Sequence, residues 1–206
     1  MKTKILLTFG LIALLAPAVQ AGQEQLAASM KKTREETAAT LRQLNSTLAS
    51  LNALVSQEKG SLEPAFKAFQ SEVPKTQEAA KTTNARAASM TTQKVNYFSD
   101  WQTSINSINN KSLQKKSQKR LKAVSESYDD VEKALMNAGE KFRPFLANLS
   151  DIEKVLSQDI TAGGVKSIKG TVRDANWSYK SVVKSINEAL HEMGKMERAL
   201  STQAAE

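Results

Sequence analysis

The feature that most constrains this chain is a repeat of apolar residues every three or four positions along most of its length. An early example is Leu41, Leu44, Leu48, Leu51 and Val55, and the same spacing recurs as far as Leu200. This period is typical of amphipathic helices that pack along a heptad-like seam. The chain has only 8 Gly and 4 Pro, too few turn signals for a sandwich of many short strands.

Three short segments interrupt the repeat and divide it into four parts. They are "EKGSLEP" at 58–64, "NNKS" at 109–112 and "TAGG" at 161–164, all rich in residues that favour turns and helix ends. The predicted helices are about 24–58, 65–109, 112–160 and 164–200. Short turns make neighbouring helices antiparallel. We therefore predict an all-α fold, an elongated antiparallel helical bundle with coiled-coil-type packing. The bundle is one domain over 22–200, followed by a flexible tail at 201–206. A three-helix bundle with a loosely docked first helix is the alternative.

Two prolines and an uneven seam modify this expectation. Pro74 should kink or restart the second helix and Pro144 should bend the third, because proline lacks a backbone N–H and clashes with the preceding turn. Between Val73 and Tyr97 the seam is mostly Thr and Ala, which bury little apolar area. The bulky seam residues are expected to form the strong part of the bundle. They are Tyr97, Trp101, Tyr128, Phe142 and Phe145.

Residues 1–21 have the pattern of a signal peptide. Lys2 and Lys4 precede the apolar stretch "ILLTFGLIALLAPAV", and "VQA" at 19–21 places small residues where a signal peptidase reads the chain. We expect cleavage after Ala21 and a periplasmic location. A retained anchor is the alternative, although about 15 apolar residues are short for a span of roughly 20.

The inventory of reactive side chains argues against catalysis. The chain has no Cys and a single His, so disulfides, thiolate metal sites, Cys nucleophiles and a lipid anchor on an N-terminal Cys are excluded. Neither a nucleophile–base pair beyond that lone His nor a Gly-rich phosphate loop is present. We expect no enzyme activity and no cofactor.

Without Lys2 and Lys4 there are 27 basic and 21 acidic residues, a net charge of +6, which suits an anionic envelope component such as lipid, lipopolysaccharide or glycan. The predicted export makes nucleic acid a poor candidate.

One short stretch raises the alternative of a metal-binding envelope bundle. "EALH" at 188–191 has the Glu-x-x-His spacing of di-iron bundles, and Met193 and Met196 are soft ligands near His191. A di-iron site needs two such motifs on separate helices, and a second is impossible with one His. Helical angles turn His191 away from the seam and place both methionines on or beside it. We therefore predict a solvated His191, core methionines and no metal.

Two basic surfaces are the candidate binding sites. The first, called the basic stripe, is Lys166, Lys169, Arg173, Trp177, Lys180 and Lys184. Its basic residues form one row on a helix, and Trp177 fills a gap in the row almost opposite the core. The second, called the basic patch, is Lys111, Lys115, Lys116, Lys119 and Arg120. Its charges occupy the outer half of a helix, which is either an ordinary solvated face or a second anion-attracting surface near a bundle end.

Three segments resemble a known family. They are "YFSDWQTSI" at 97–105, "LQKKSQKRL" at 113–121 and "FRPFLANLSDIEKVLSQDITAGGVKSIKG" at 142–170. The chain resembles the bacterial family called Domain of Unknown Function 2959. The resemblance implies an exported, coiled-coil-like helical protein with no established activity, and it brings no site residues. Relatives often have a His where this chain has Gln158, which can neither titrate nor bind a metal in the same way.

These observations favour a non-enzymatic periplasmic or envelope bundle that acts as an interaction or scaffold protein. Trp suits such a role because it combines an apolar body with an N–H donor, and it stacks on cations, sugar rings or lipid headgroups. In this interpretation the basic stripe contacts an anionic envelope component. In the alternative, a neighbouring helix or a second subunit covers Trp177, and with a second subunit the protein is a structural homo-oligomer.

Overall fold

The computed structural model describes residues 17–57 and 59–201. Five helices account for most of them: α1 (Pro17–Ser56), α2 (Glu63–Asn106), α3 (Lys111–Gln158), α4 (Ala162–Ser167) and α5 (Lys169–Ser201). No strand occurs within these ranges, so the predicted all-α fold is confirmed. Most of the predicted signal peptide and all but the first residue of the predicted tail lie outside the described residues.

The four long helices form a closed ring. Helix α1 packs along α2 and α5, and α3 packs along the same two helices, so α1 and α3 lie diagonally opposite each other. The three-helix alternative is wrong, because α1 contributes fully buried side chains such as Leu44 and Leu51 to the core. Helix α4 is a short helix that directly precedes α5, with Ile168 between them.

The first two turns lie where the sequence predicts them. Gly60 has a φ of +85° in the turn between α1 and α2, a conformation that glycine adopts without strain, and Pro64 lies in the first turn of α2. The side chain of Asn110 caps α3, accepting hydrogen bonds from the backbone N–H groups of Ser112 and Leu113 at 3.0 and 3.2 Å.

The third turn differs from the prediction. Residues 162–164 of "TAGG" already belong to α4, because the Thr161 hydroxyl oxygen accepts a hydrogen bond from Gly164 N at 3.2 Å and starts the helix there. The predicted fourth helix is also interrupted at Ile168. The interruption is slight, since Ile168 N donates to Gly164 O and Val172 N donates to Ile168 O.

Replacing Gly164 with alanine is expected to destabilise the protein by about 1–3 kcal/mol, as overpacking typically does. A Cβ at this buried position would overlap the backbone carbonyl of Asp159, which cannot swing aside as a flexible side chain can. Gly163→Ala is the matched control. Its Cβ would lie 3.4 Å from the Thr161 hydroxyl, an ordinary contact, and alanine favours helix. Urea unfolding followed by circular dichroism checks this, and equal midpoints for the two variants would contradict it.

The two internal prolines do not interrupt their helices. Pro74 lies within α2 and Pro144 within α3, and both are exposed. Of the two outcomes predicted at Pro74, a kink or a restart, the restart is therefore wrong. A proline removes one backbone hydrogen bond, but the buried faces of these long helices pack along neighbours on either side of it, with Val73 and Phe145 fully buried beside the two prolines.

The core consists of two apolar clusters rather than one. Phe142 and Phe145 belong to the cluster at the end where α3 meets α4. Tyr97, Trp101 and Tyr128 belong to the second cluster, which lies at the opposite end. The single strong region expected from these five residues is thus wrong. The Thr- and Ala-rich segment of α2, where the sequence predicts a weak seam, makes polar contacts with α1. There the hydroxyl oxygens of Thr40 and Thr83 lie 2.9 Å apart.

The predicted cleavage point after Ala21 falls inside α1. Val19 is 1% exposed and packs in the second cluster. On the other side of the point, the Gln23 amide donates a hydrogen bond of 2.6 Å to Leu200 O. Cleavage stays a prediction, and it would leave the Gln23 contact in the processed chain. None of the described helices has a stretch long and apolar enough to cross a membrane.

Candidate anion-binding surface

All six residues of the basic stripe are exposed. Lys166 lies in α4 and the other five lie in α5. Trp177 is 73% exposed, the highest value among the large apolar side chains of the described chain. The interpretation in which a neighbouring helix covers Trp177 is therefore wrong.

The stripe runs beside α1, and polar contacts fix its orientation there. Asn176 is seven residues after Lys169 and four before Lys180, so it lies on the same row. Its amide exchanges two hydrogen bonds with that of Asn52 in α1, at 3.3 and 3.1 Å. The Tyr179 hydroxyl donates to Asn45 Oδ1 at 2.7 Å. Sequence reasoning missed these contacts, because nothing local links residues more than 120 positions apart.

Few carboxylates offset the charge of the stripe. Arg173 Nε lies 3.7 Å from Asp174 Oδ1, and Lys184 Nζ lies 3.9 Å from Glu188 Oε1. Such exposed pairs contribute little. Lys166, Lys169 and Lys180 make no ion pair with any residue in the described ranges. The stripe is therefore electropositive.

The basic patch differs from its prediction at one residue. Lys111, Lys115, Lys116 and Lys119 are exposed at the start of α3. Arg120 is half-buried instead, close enough to the second cluster for its charge to act on the Tyr97 phenol. Burial raises the pKa of Tyr97, and the positive charge of Arg120 opposes that rise. The outward position expected for Arg120 is wrong, and four lysines form the exposed part of the patch.

His191, Met193 and Met196 occupy the predicted positions. His191 is exposed, and both methionines are fully buried in the second cluster. In the part of the chain that the structure describes, no group of three His, Cys, Asp or Glu side chains is placed to hold a metal ion.

Residues 20–199 match the model of the family described as protein of unknown function (DUF2959). The chain belongs to this family. The match confirms the resemblance carried by the segments 97–105, 113–121 and 142–170. No curated protein sequence matches the chain significantly. A function for this DUF2959 protein must therefore be argued from its surfaces.

One ionic cluster of the DUF2959 protein was missed by sequence reasoning. Lys94 Nζ in α2 lies 2.9 Å from Asp129 Oδ1 and 2.8 Å from Glu132 Oε2 in α3, and 4.5 Å from the centre of the Tyr128 ring. Burial lowers the pKa of Lys94, but the hydrogen bonds that Lys94 donates to Glu132 and Asp129 outweigh this effect and raise the pKa. The cluster holds α2 against α3. Its only sequence signal is that Lys94 lies four residues after Met90 and three before Tyr97, in the apolar repeat.

A wide recess of about 840 Å³ lies between the two turns at one end of the DUF2959 bundle. Leu62, Ile160 and Val165 contribute apolar surface to it, and Lys166 and Lys169 of the stripe also line it. Glu63 also lines the recess, and its Oε1 lies 2.7 Å from Lys67 Nζ. The residues that line the recess include no Cys and no His, and Lys166 and Lys169 supply cationic groups to it.

Proposed function

We propose that this protein is a non-enzymatic interaction protein of the bacterial envelope, located in the periplasm, that binds the surface of an anionic lipid layer through the basic stripe. The observation that carries the proposal is the 73% exposure of Trp177 inside a row of five basic side chains. Three of those side chains have no carboxylate partner in the described chain.

The composition of the stripe suits a lipid surface. A tryptophan ring prefers the headgroup region, where its body contacts apolar chains and its N–H stays hydrated. Each Lys or Arg near an anionic surface adds roughly 1 kcal/mol of attraction. From Lys166 to Lys184 the row is about 27 Å long at 1.5 Å per residue, so the bundle would lie with α5 along the surface.

The same observations favour lipid over a homo-oligomer built on this face. In a symmetric dimer the stripe would face its own copy, and like charges would repel. Within residues 17–57 and 59–201, the other exposed large apolar side chains do not enlarge the face around Trp177. They are Val95, Leu113, Met136 and Val155, all on α2 and α3.

Replacing Trp177 with alanine together with Lys169→Glu is expected to lower binding to anionic vesicles at least tenfold, because the ring and about 2 kcal/mol of charge attraction are lost. Co-sedimentation with vesicles of phosphatidylglycerol and phosphatidylcholine measures this, with pure phosphatidylcholine as the neutral surface. The matched control is Lys133→Glu/Met136→Ala on α3, which changes the charge equally and removes an exposed apolar side chain.

Each outcome of this experiment is decisive. Strong binding by the wild type and by the control, with weak binding by the stripe variant, supports the proposal. Equal loss in both variants shows general charge attraction and rejects the stripe. Absence of vesicle binding, combined with co-sedimentation with peptidoglycan or concentration-dependent light scattering, favours a glycan partner or the homo-oligomer instead.

A further inference from the structure

We propose that the basic patch is a second lipid-binding surface, and that the protein bridges two anionic lipid layers, holding one on the basic stripe and one on the patch. This inference rests on the proposed function of the stripe and adds a second site of the same chemistry. Two features support this inference. One is the position of the two surfaces in the fold, and the other is the lack of Asp and Glu side chains along the patch.

The fold places the two surfaces far apart along the bundle. Lys111 begins α3, whereas Lys166 and Lys169 follow the turn at the other end of α3, so the two sites start from opposite ends. The rings of Tyr179 and Phe145 lie 6.3 Å apart and mark a common level on α5 and α3. Lys115 is 30 residues before Phe145 on the same helix, which places it about 45 Å along the helix axis from that level. The patch and the stripe are therefore separated along the length of the bundle.

The two surfaces also face different sides. The row of the stripe contains Asn176, whose amide bonds to Asn52 place the row along α1. The patch lies on α3, which is diagonal to α1 in the ring of helices. On the patch helix, the side chains of Gln114 and Gln118 bond to α2, and the patch lysines point away from the core. A flat surface in contact with the stripe therefore leaves the patch free for another.

The charge of the patch suits an anionic layer. Residues 101–125 include no Asp or Glu, so the last turns of α2, the connecting turn and the first turns of α3 carry basic side chains but no carboxylate. Lys115, Lys116 and Lys119 make no ion pair with any described residue. Among the described residues, Lys111 Nζ bonds only to the neutral amide of Gln114, at 3.3 Å.

Clustering of anionic vesicles tests the bridge. The wild type is expected to cluster phosphatidylglycerol-containing vesicles, seen as a rise in hydrodynamic radius by dynamic light scattering. Reversing either surface, by Lys169→Glu/Lys180→Glu or by Lys115→Glu/Lys119→Glu, should reduce clustering at least about fivefold, because one remaining site can hold only one vesicle. Each variant should still co-sediment with vesicles through its remaining surface, but more weakly than the wild type. The control Lys133→Glu/Lys141→Glu on exposed α3 positions should cluster them like the wild type.

The outcomes separate the bridge from the proposed function. Wild-type binding without clustering overturns the bridge and leaves the stripe intact. Clustering by the patch variant as strong as that of the wild type also overturns the bridge, since a single site or self-association would then suffice. Loss of all binding in the stripe variant makes the stripe the sole site and rejects the bridge. No binding by the wild type rejects both proposals.

Discussion

Replacing Trp101 with alanine is expected to lower the free energy of unfolding by about 3–5 kcal/mol, the range for truncating a buried tryptophan. Trp101 is 3% exposed in the second cluster, and its ring lies 5.5 Å from that of Tyr97. The loss is large because this cluster holds the bundle end that lacks Phe142 and Phe145. Urea unfolding monitored by far-ultraviolet circular dichroism gives the value.

Trp101→Phe is the informative control. The indole N–H of Trp101 is buried and has no hydrogen-bond partner among the described residues, so phenylalanine removes an unsatisfied polar group while keeping most of the ring. We expect it to cost less than about 1.5 kcal/mol. A loss below about 1 kcal/mol for the alanine variant would show that the side chain is not part of the core.

Raising the pH from 8 to 11 is expected to lower the free energy of unfolding by about 3 kcal/mol through Tyr97 and Tyr128. Burial raises the pKa of Tyr128 to about 12 and raises that of Tyr97 as well. Above the unfolded pKa of about 10, the unfolded chain releases the phenol protons while the folded chain keeps them. Stability is therefore full below about pH 10 and falls as the pH rises, by about 1.4 kcal/mol per phenol at pH 11.

Lys94 acts in the same direction. Its raised pKa contributes stability that is complete below the unfolded value of about 10.4 and is lost as the pH rises through the folded value. Urea midpoints at pH 8, 10 and 11, for the wild type and for Tyr97→Phe/Tyr128→Phe, isolate the phenols. The double variant should lose about 3 kcal/mol less than the wild type over this range. An identical fall in both proteins would show that the phenols ionise equally in the folded and unfolded states.

The candidate site was predictable where it depends on one helix. The row of Lys169, Arg173 and Lys180, and the outward direction of Trp177, follow from the 3.6-residue period alone. The half-buried position of Arg120 was not predictable, because it depends on how close α3 lies to Tyr97 of α2. The same holds for Lys94, which sits among apolar residues of α2 and is tolerated because α3 supplies two carboxylates.

The sequence by itself determined the helices, most of their ends and which face of each is apolar, because these depend on contacts within a few residues along the chain. Asn110 and Gly60 mark turns through local backbone chemistry. Only the tertiary structure decided that the core divides into two clusters and that Asn176 bonds to Asn52. It also decided that the stripe and the patch face different sides at opposite ends. Those features depend on how far each helix is displaced and rotated against its neighbours, which is set by side chains that meet from distant parts of the chain.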